Sequence, residues 1–185
     1  MGSFFCEVNI IKIFISGSRE LNQLPNEVLL KLQQFSDKNY DILIGDCYGI
    51  DSSIQKFYYD MKYANILVYA SNGKARNNIG RWNIKNIAVK QNVYGFDFYK
   101  QKDIAMAKDA DYGFMIWDGK SKGTLNNMVN LLSQGKFVLV YLSVSKHFFY
   151  IKSLNGLAQF ILKHSQSAYE TYTNLTEDLL SPSRA

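Results

Sequence analysis

Short apolar runs along this chain alternate with stretches in which apolar residues recur every three or four positions. Lys12 to Ser16 reads as a strand stopped by Gly17, and Val28, Leu29, Leu32 and Phe35 mark one face of a helix over 26–35, entered after Pro25. A second strand over 41–44 runs into Gly45-Asp46, and Ile54, Phe57, Tyr58 and Met61 predict a helix over 51–62. Residues 65–70 read as a third strand, and Ser71-Asn72-Gly73-Lys74 opens a polar loop. A helix over 98–110, a strand over 112–117, a helix over 124–133 and a strand over 137–142 continue the alternation, with Gln134-Gly135 as a stop between the last two. A final helix is predicted over 151–163. The connection from Ala75 to Gly95 has the weakest pattern; a helix over 84–90 is expected inside it, and connections of this length are often functional.

Strand–helix alternation of this kind predicts a single α/β domain over residues 10–164, a Rossmann-like parallel sheet flanked by helices. From Ser165 to Ala185 the chain is polar and weakly periodic, and reads as a tail or a short docking helix. The 185 residues suit one domain with a full core. The 13 Tyr and 12 Phe exceed ordinary needs, which points to core packing first and to a homo-oligomer interface or stacking surface second. The net charge of +5 favours anionic partners but is too small and scattered for a typical DNA-binding protein. From Lys122 to Tyr169 there is no acid, while five lysines and both histidines fall there, as a solvated face or as the basic rim of a phosphate site. Cys6 and Cys47 have no metal-ligand spacing, so no metal or cofactor is expected. Gly2 lacks the Ser or Thr at position 6 that myristoylation calls for. Without an export signal or an apolar stretch near 18 residues, a cytoplasmic protein with no membrane span is expected.

The segment with most chemistry is Asp118-Gly119-Lys120-Ser121-Lys122-Gly123-Thr124, an acidic, glycine-rich turn between the 112–117 strand and the following helix. Ligands of open parallel sheets bind beyond the carboxyl ends of the strands, and a helix N-terminus there offers amides and a positive dipole end to phosphate. Ser121 in Gly119-Lys-Ser-Lys-Gly123 matches a nucleophile elbow, but no acid lies between it and either histidine, so the triad order fails. A P-loop would need glycine where Phe114 stands, and no G-x-G-x-x-G follows the first strand. Two further strand ends carry polar residues beside glycines: Ser16-Gly17-Ser18-Arg19, and Gly45-Asp46-Cys47-Tyr48-Gly49-Ile50-Asp51. Asp51 and Thr124 are each candidates for a helix cap or for a ligand contact. Three strand ends of this kind outline one crevice.

These residues resemble the SLOG superfamily over roughly 10–142, through Ile-Ser-Gly-Ser-Arg, Gly-Asp-Cys-Tyr-Gly-Ile-Asp and Trp-Asp-Gly-Lys-Ser-Lys-Gly-Thr. The flavour is that of the YspA/YpsA-related branch, kin of the LOG phosphoribohydrolases and of DprA. The resemblance implies a nucleotide or nucleotide-derived ligand with its phosphate at Gly119–Thr124. It also implies binding roles for Ser16, Gly17, Ser18, Arg19, Gly45, Asp46, Gly49, Lys120, Ser121 and Lys122, and for Asn78 in an Asn-rich turn that also holds Trp82. The enzymatic branch carries Pro-Gly-Gly-x-Gly-Thr-x-x-Glu after an Arg-Lys pair. Here Asn127 falls at the Glu, Lys102 at the Arg and Asp103 at the Lys. An amide cannot steady an oxocarbenium-like centre or activate water as a carboxylate does. If cleavage occurs, Asp118, Asp51 and Lys102 are the candidate catalytic residues, Asp118 preferred, with Asp103 and Asp46 as further substitutes. The leading expectation is a nucleotide-binding sensor or sequestering protein, with homo-oligomerisation. An N-glycosidic hydrolase or transferase acting on a nucleoside monophosphate or an ADP-ribose-type compound is the alternative. Single-strand DNA binding of the DprA kind is least supported, because no basic, aromatic-interleaved strip is visible.

Overall fold

The computed structural model describes residues 10–21 and 23–180, so Gly2, Cys6 and residues 181–185 lie outside it. Seven strands form one sheet: β1 (Lys12–Gly17), β2 (Asp41–Gly45), β3 (Ile66–Ser71), β4 (Asn83–Ile87), β5 (Tyr112–Trp117), β6 (Val138–Leu142) and β7 (His147–Ile151). Their order is β4-β3-β2-β1-β5-β6-β7, parallel throughout except for the antiparallel β6–β7 pair. The helices are α1 (Asn26–Asp37), α2 (Ile50–Asp60), α3 (Gly95–Asp109), α4 (Lys122–Ser133), α5 (Leu154–His164) and α6 (Tyr169–Leu180), with a 3-10 turn at Gln166–Ala168. This is a single α/β domain of Rossmann-like architecture.

Two cores result from the two-residue alternation of the strands. Ile13 and Ile15 of β1, with Ile42, Val68 and Phe114, pack beneath α1 and α2 on Val28, Leu32, Ile54 and Tyr58. Phe14 points the other way and joins Leu43, Met115 and Trp117 under α3 to α6, through Met106, Met128, Leu157 and Leu175. Central strands covered on both faces read as unbroken apolar runs. Helix α4 lies deepest, with every residue from Thr124 to Leu132 buried.

The expected helix over 84–90 is instead edge strand β4. Ile84 and Ile87 have helical spacing, but residues 83–87 pair with β3, and Asn83 to Asn86 are exposed. Polar and lysine-bearing edges are the usual form of a strand that must not pair further. Strand β7 was not anticipated either. The turn before it has no glycine or asparagine, and Lys146 adopts a φ of 55° there. The helix expected from Ile151 therefore starts at Leu154, capped by Ser153, whose Oγ accepts from the Gly156 amide at 3.1 Å. Helix α6 packs on α4 and α5 and buries Tyr172 and Leu175, and the Tyr172 hydroxyl donates to the Leu154 carbonyl at 2.9 Å. Among the described residues no helix is long and apolar enough to cross a membrane.

Tyr58, fully buried, ties α2 to α1 by donating its hydroxyl to the Leu32 carbonyl at 3.0 Å. Tyr58→Phe keeps the ring and loses this bond, so stability should fall by about 1 kcal/mol. Thermal unfolding should show this as a midpoint lowered by about 2–4 °C.

Candidate functional site

From β1 the chain runs outward through α1 and α2 on one side of the sheet, and crosses through α3 to β5 on the other. The reversal leaves a crevice beyond the carboxyl ends of β1 and β5, where such sheets place their ligands. A cavity of about 640 Å³ occupies it, walled by the ends of β1, β2 and β5 and by α3 and α4.

The β5–α4 turn is built from its own side chains. Asp118 Oδ1 accepts the Lys120 and Ser121 amides at 2.9 and 2.8 Å. Gly119 has a φ of 82°, and a Cβ there would lie 2.4 Å from Ser165 Oγ, which donates to the Gly119 carbonyl at 2.8 Å. The cap of α4 is Ser121, not Thr124, whose amide and hydroxyl both point to Ser121 Oγ at 3.4 and 3.1 Å. Lys122 and Gly123 occupy the first helical positions, whose amides have no carbonyl one turn back. A Cβ on Gly123 would meet nothing within 4 Å, so the helix opens there into free space.

The other two strand ends divide between wall and support. Ser16, Gly17 and Arg19 line the cavity, with Ser16 Oγ accepting from Asn127 Nδ2 at 3.2 Å. Ser18 is buried behind the turn and accepts the Asp118 amide at 3.2 Å. Gly49 (φ 81°, ψ −131°) is the cap position of α2, and a Cβ there would lie 2.3 Å from the Arg19 carbonyl. Asp51 sits in the first turn of α2 instead of capping it, and it lines the cavity. Above Gly45 a Cβ would strike both Asp51 Oδ2 (2.6 Å) and Lys102 Nζ (2.8 Å), so bare backbone makes the room these two groups fill. Asp46 lies under the wall. Asn78 is not among the lining residues: it exchanges hydrogen bonds with the Trp82 backbone, and the Trp82 indole donates to the Tyr63 carbonyl at 3.0 Å. Asp118, Lys120, Ser121, Gly123, Thr124 and Lys102 all reach the cavity, whereas Gly119 and Lys122 do not line it.

Sequence reasoning missed the wall that α3 supplies through Phe96 and Tyr99. Steps of three residues back from Lys102 reach both positions, which is the helical spacing that would have found them. It also missed Arg76, which holds Asp46 through Nη2 at 2.7 Å, Nε at 3.2 Å and its own amide at 3.0 Å. The Arg76 guanidinium also lies over the Tyr99 ring at 4.5 Å and donates to Cys47 Sγ at 2.9 Å.

Burial alone would raise the Asp46 pKa, but the bonds from Arg76 and the charge of Lys102 outweigh it and hold the carboxylate below its ordinary 3.8. Burial likewise opposes ionisation of Asp118, and the Ser121 and Lys120 amides overcome it, keeping this group a carboxylate. Burial disfavours the Lys102 ammonium, yet Asp103, at 3.0 Å, and the other acids nearby keep it charged far above the ordinary lysine range. Burial and the neighbouring Asp51 push the Cys47 thiol up. Asp51 itself is pushed up to about 7 by burial, against the opposing pull of Lys102. No group of His, Cys, Asp or Glu among the described residues could hold a metal ion. No protein-family model matches the chain, and no curated protein matches it.

Replacing Arg76 by Met would remove the guanidinium bonds to Asp46, whose side chain is only 4 % exposed, and leave it the residue-76 amide and Lys102 at 3.9 Å. Breaking a buried charge pair by removing one partner costs up to about 3 kcal/mol when other donors remain. Because the folded Asp46 pKa lies below the unfolded one, its contribution is present above pH 3.8 and lost as pH falls through the folded value. Urea unfolding should therefore show a deficit for Arg76→Met that is largest near neutrality and narrows below pH 3.8.

Proposed function

We propose that the cavity binds a nucleotide or nucleotide-derived ligand, in a domain of SLOG type that acts as a sensor or sequestering protein. The observation that carries this reading is the open N-terminus of α4. Gly123 faces empty space, and behind it Asn127, 2 % exposed, presents an Oδ1 with no hydrogen-bond partner. A phosphate here would take the Lys122 and Gly123 amides, the positive end of α4 and the Lys120 ammonium. Asn127 Oδ1 is suited to accept from a sugar hydroxyl, and Phe96 and Tyr99 offer ring surface for a base. Asp118 belongs to the turn in this reading, since its carboxylate is taken up by two amides.

The alternative, an N-glycosidic hydrolase or transferase, is favoured by one observation: Asp51 and Lys102 stand buried over Gly45 in the cavity wall. Nucleic-acid binding has no comparable support. Homo-oligomerisation is proposed on the exposed aromatic edge of β7, where Phe148 and Tyr150 face solvent.

A thermal-shift panel of nucleoside monophosphates, ADP-ribose, NAD and cyclic nucleotides tests the binding reading. A ligand at a hundred times its Kd adds about 2.7 kcal/mol, and the midpoint should rise by roughly 5–10 °C. Gly123→Glu places a carboxylate in the open space, so it should abolish that rise while leaving the unliganded midpoint within about 2 °C, as an acid is welcome in a first turn. Chromatography of each mixture separates the two readings, with intact ligand for a binder and released base for a hydrolase. No shift from any member of the panel would overturn the nucleotide reading.

A further inference from the structure

Apart from the exposed Glu20, three acidic residues line the cavity and Asp46 lies behind it, and three of these four are already committed. Asp46 is clasped by Arg76, Asp103 takes the Lys102 ammonium at 3.0 Å, and Asp118 is occupied by backbone amides. Asp51, 5 % exposed, makes no ion pair among the described residues. The Cys47 amide donates a hydrogen bond to it. Lys102, the cation that meets it over Gly45, gives its nearest contact to Asp103 and lies 3.9 Å from Asp46. Around Asp51 stand Asp46 and Cys47 on its own turn, Asp103 on α3, Arg76 behind Asp46, and Arg19, Glu20, Lys100, Asp118 and Lys120 elsewhere on the cavity wall.

A carboxyl buried without a cation of its own favours the neutral form, and that form carries an O–H donor. We propose that Asp51 is a specificity-determining group of this cavity, donating its proton to an acceptor atom of an anionic ligand and so making binding proton-linked. This rests on the nucleotide reading above. An anion entering the same low-dielectric space repels an Asp51 carboxylate and favours the neutral carboxyl; by reciprocity, the proton favours the anion to the same extent. The ligand chosen would present a ring nitrogen, a carbonyl or a phosphate oxygen to Asp51, and one presenting a donor there would be penalised only once Asp51 is neutral.

The direction of the pH effect follows. Asp51 in the free protein releases its proton near pH 7, whereas the complex retains it to higher pH, so affinity falls as pH rises beyond 7. With one proton linked, the limit is about tenfold per pH unit. A ligand phosphate, with its second pKa near 6, no longer titrates in that range.

The test is isothermal titration of the full chain with 5′-AMP, 5′-GMP, 5′-CMP, 5′-UMP and ADP-ribose at pH 6.5, 7.5 and 8.5, in buffers of different ionisation enthalpy. For any that binds, Kd should weaken by up to about tenfold between pH 7.5 and 8.5, with net proton uptake at pH 7.5. Asp51→Asn, whose amide donates at every pH, should bind within about threefold of the wild type at pH 6.5 and keep that Kd at pH 8.5. A wild type that binds without proton uptake, or an Asn variant that keeps the wild-type pH profile, would overturn the proposal and leave nucleotide binding standing. Should the variant not fold, the wild-type proton count decides alone. If none of the five ligands binds, the nucleotide reading and this inference fall together.

Discussion

Desolvation of charge at the crevice between β1 and β5 is the constraint around which the rest is arranged. A parallel sheet covered on both faces has no place for ions along its strands, so they gather at the carboxyl ends. There Asp46, Asp103, Lys102 and Arg76 are drawn from the turn after β2, α3 and the β3–β4 connection into one network centred on the buried Asp46 and Lys102. Each partner fixes an element: Arg76 holds the connection onto the β2 turn, and Lys102 fixes the pitch of α3 over Gly45. The uncharged Gln55 helps by bridging the Gly45 carbonyl and the Ile79 amide. The glycines at 45 and 49 follow from this crowding, because any side chain there would displace a charged group or a carbonyl.

The fold was legible where burial is complete. β1, β2, β3, β5 and β6 are runs of Ile, Val, Leu, Phe and Tyr that no amphipathic helix would need. The edges were not legible. β4 exposes Asn, Lys and Asn in turn, so its sequence retains no record of a buried face, and its two isoleucines imitate a helical stripe. β7 depends on pairing with β6, which only the assembled sheet supplies. Strand order is a property of contacts between distant segments and has no local signature.

The site was legible at its turns and dark on its far wall. Glycines beside polar residues at 17, 45 and 119 mark the ends of β1 and β2 and the turn after β5, and the cavity does open there. Phe96 and Tyr99 belong to a helix whose weak amphipathicity conceals that its first half faces an opening while Met106 and Ala107 reach the core. The choice between cap and wall for Asp51 and Thr124 hung on two or three residues of helix start, a distance at which local patterns carry little information. Ser121 and Gly49 took the cap positions.

The same crevice has a bearing on how the protein comes to exist. Ser18 meets the Asp118 amide across 100 positions of sequence, and Ser16 meets Asn127 across 111. Helices and the β1–β2–β3 half can form from neighbouring segments, while β1 waits for β5 before its second edge is paired. During synthesis, which delivers the N-terminal half first, the central strand of the sheet is therefore an open edge until residue 117 has emerged. Long closures of this kind are slow, and an unpaired apolar edge invites pairing with another chain. The strand that will lie at the middle of the finished sheet is thus the one left open to a wrong partner while the nascent chain is still growing.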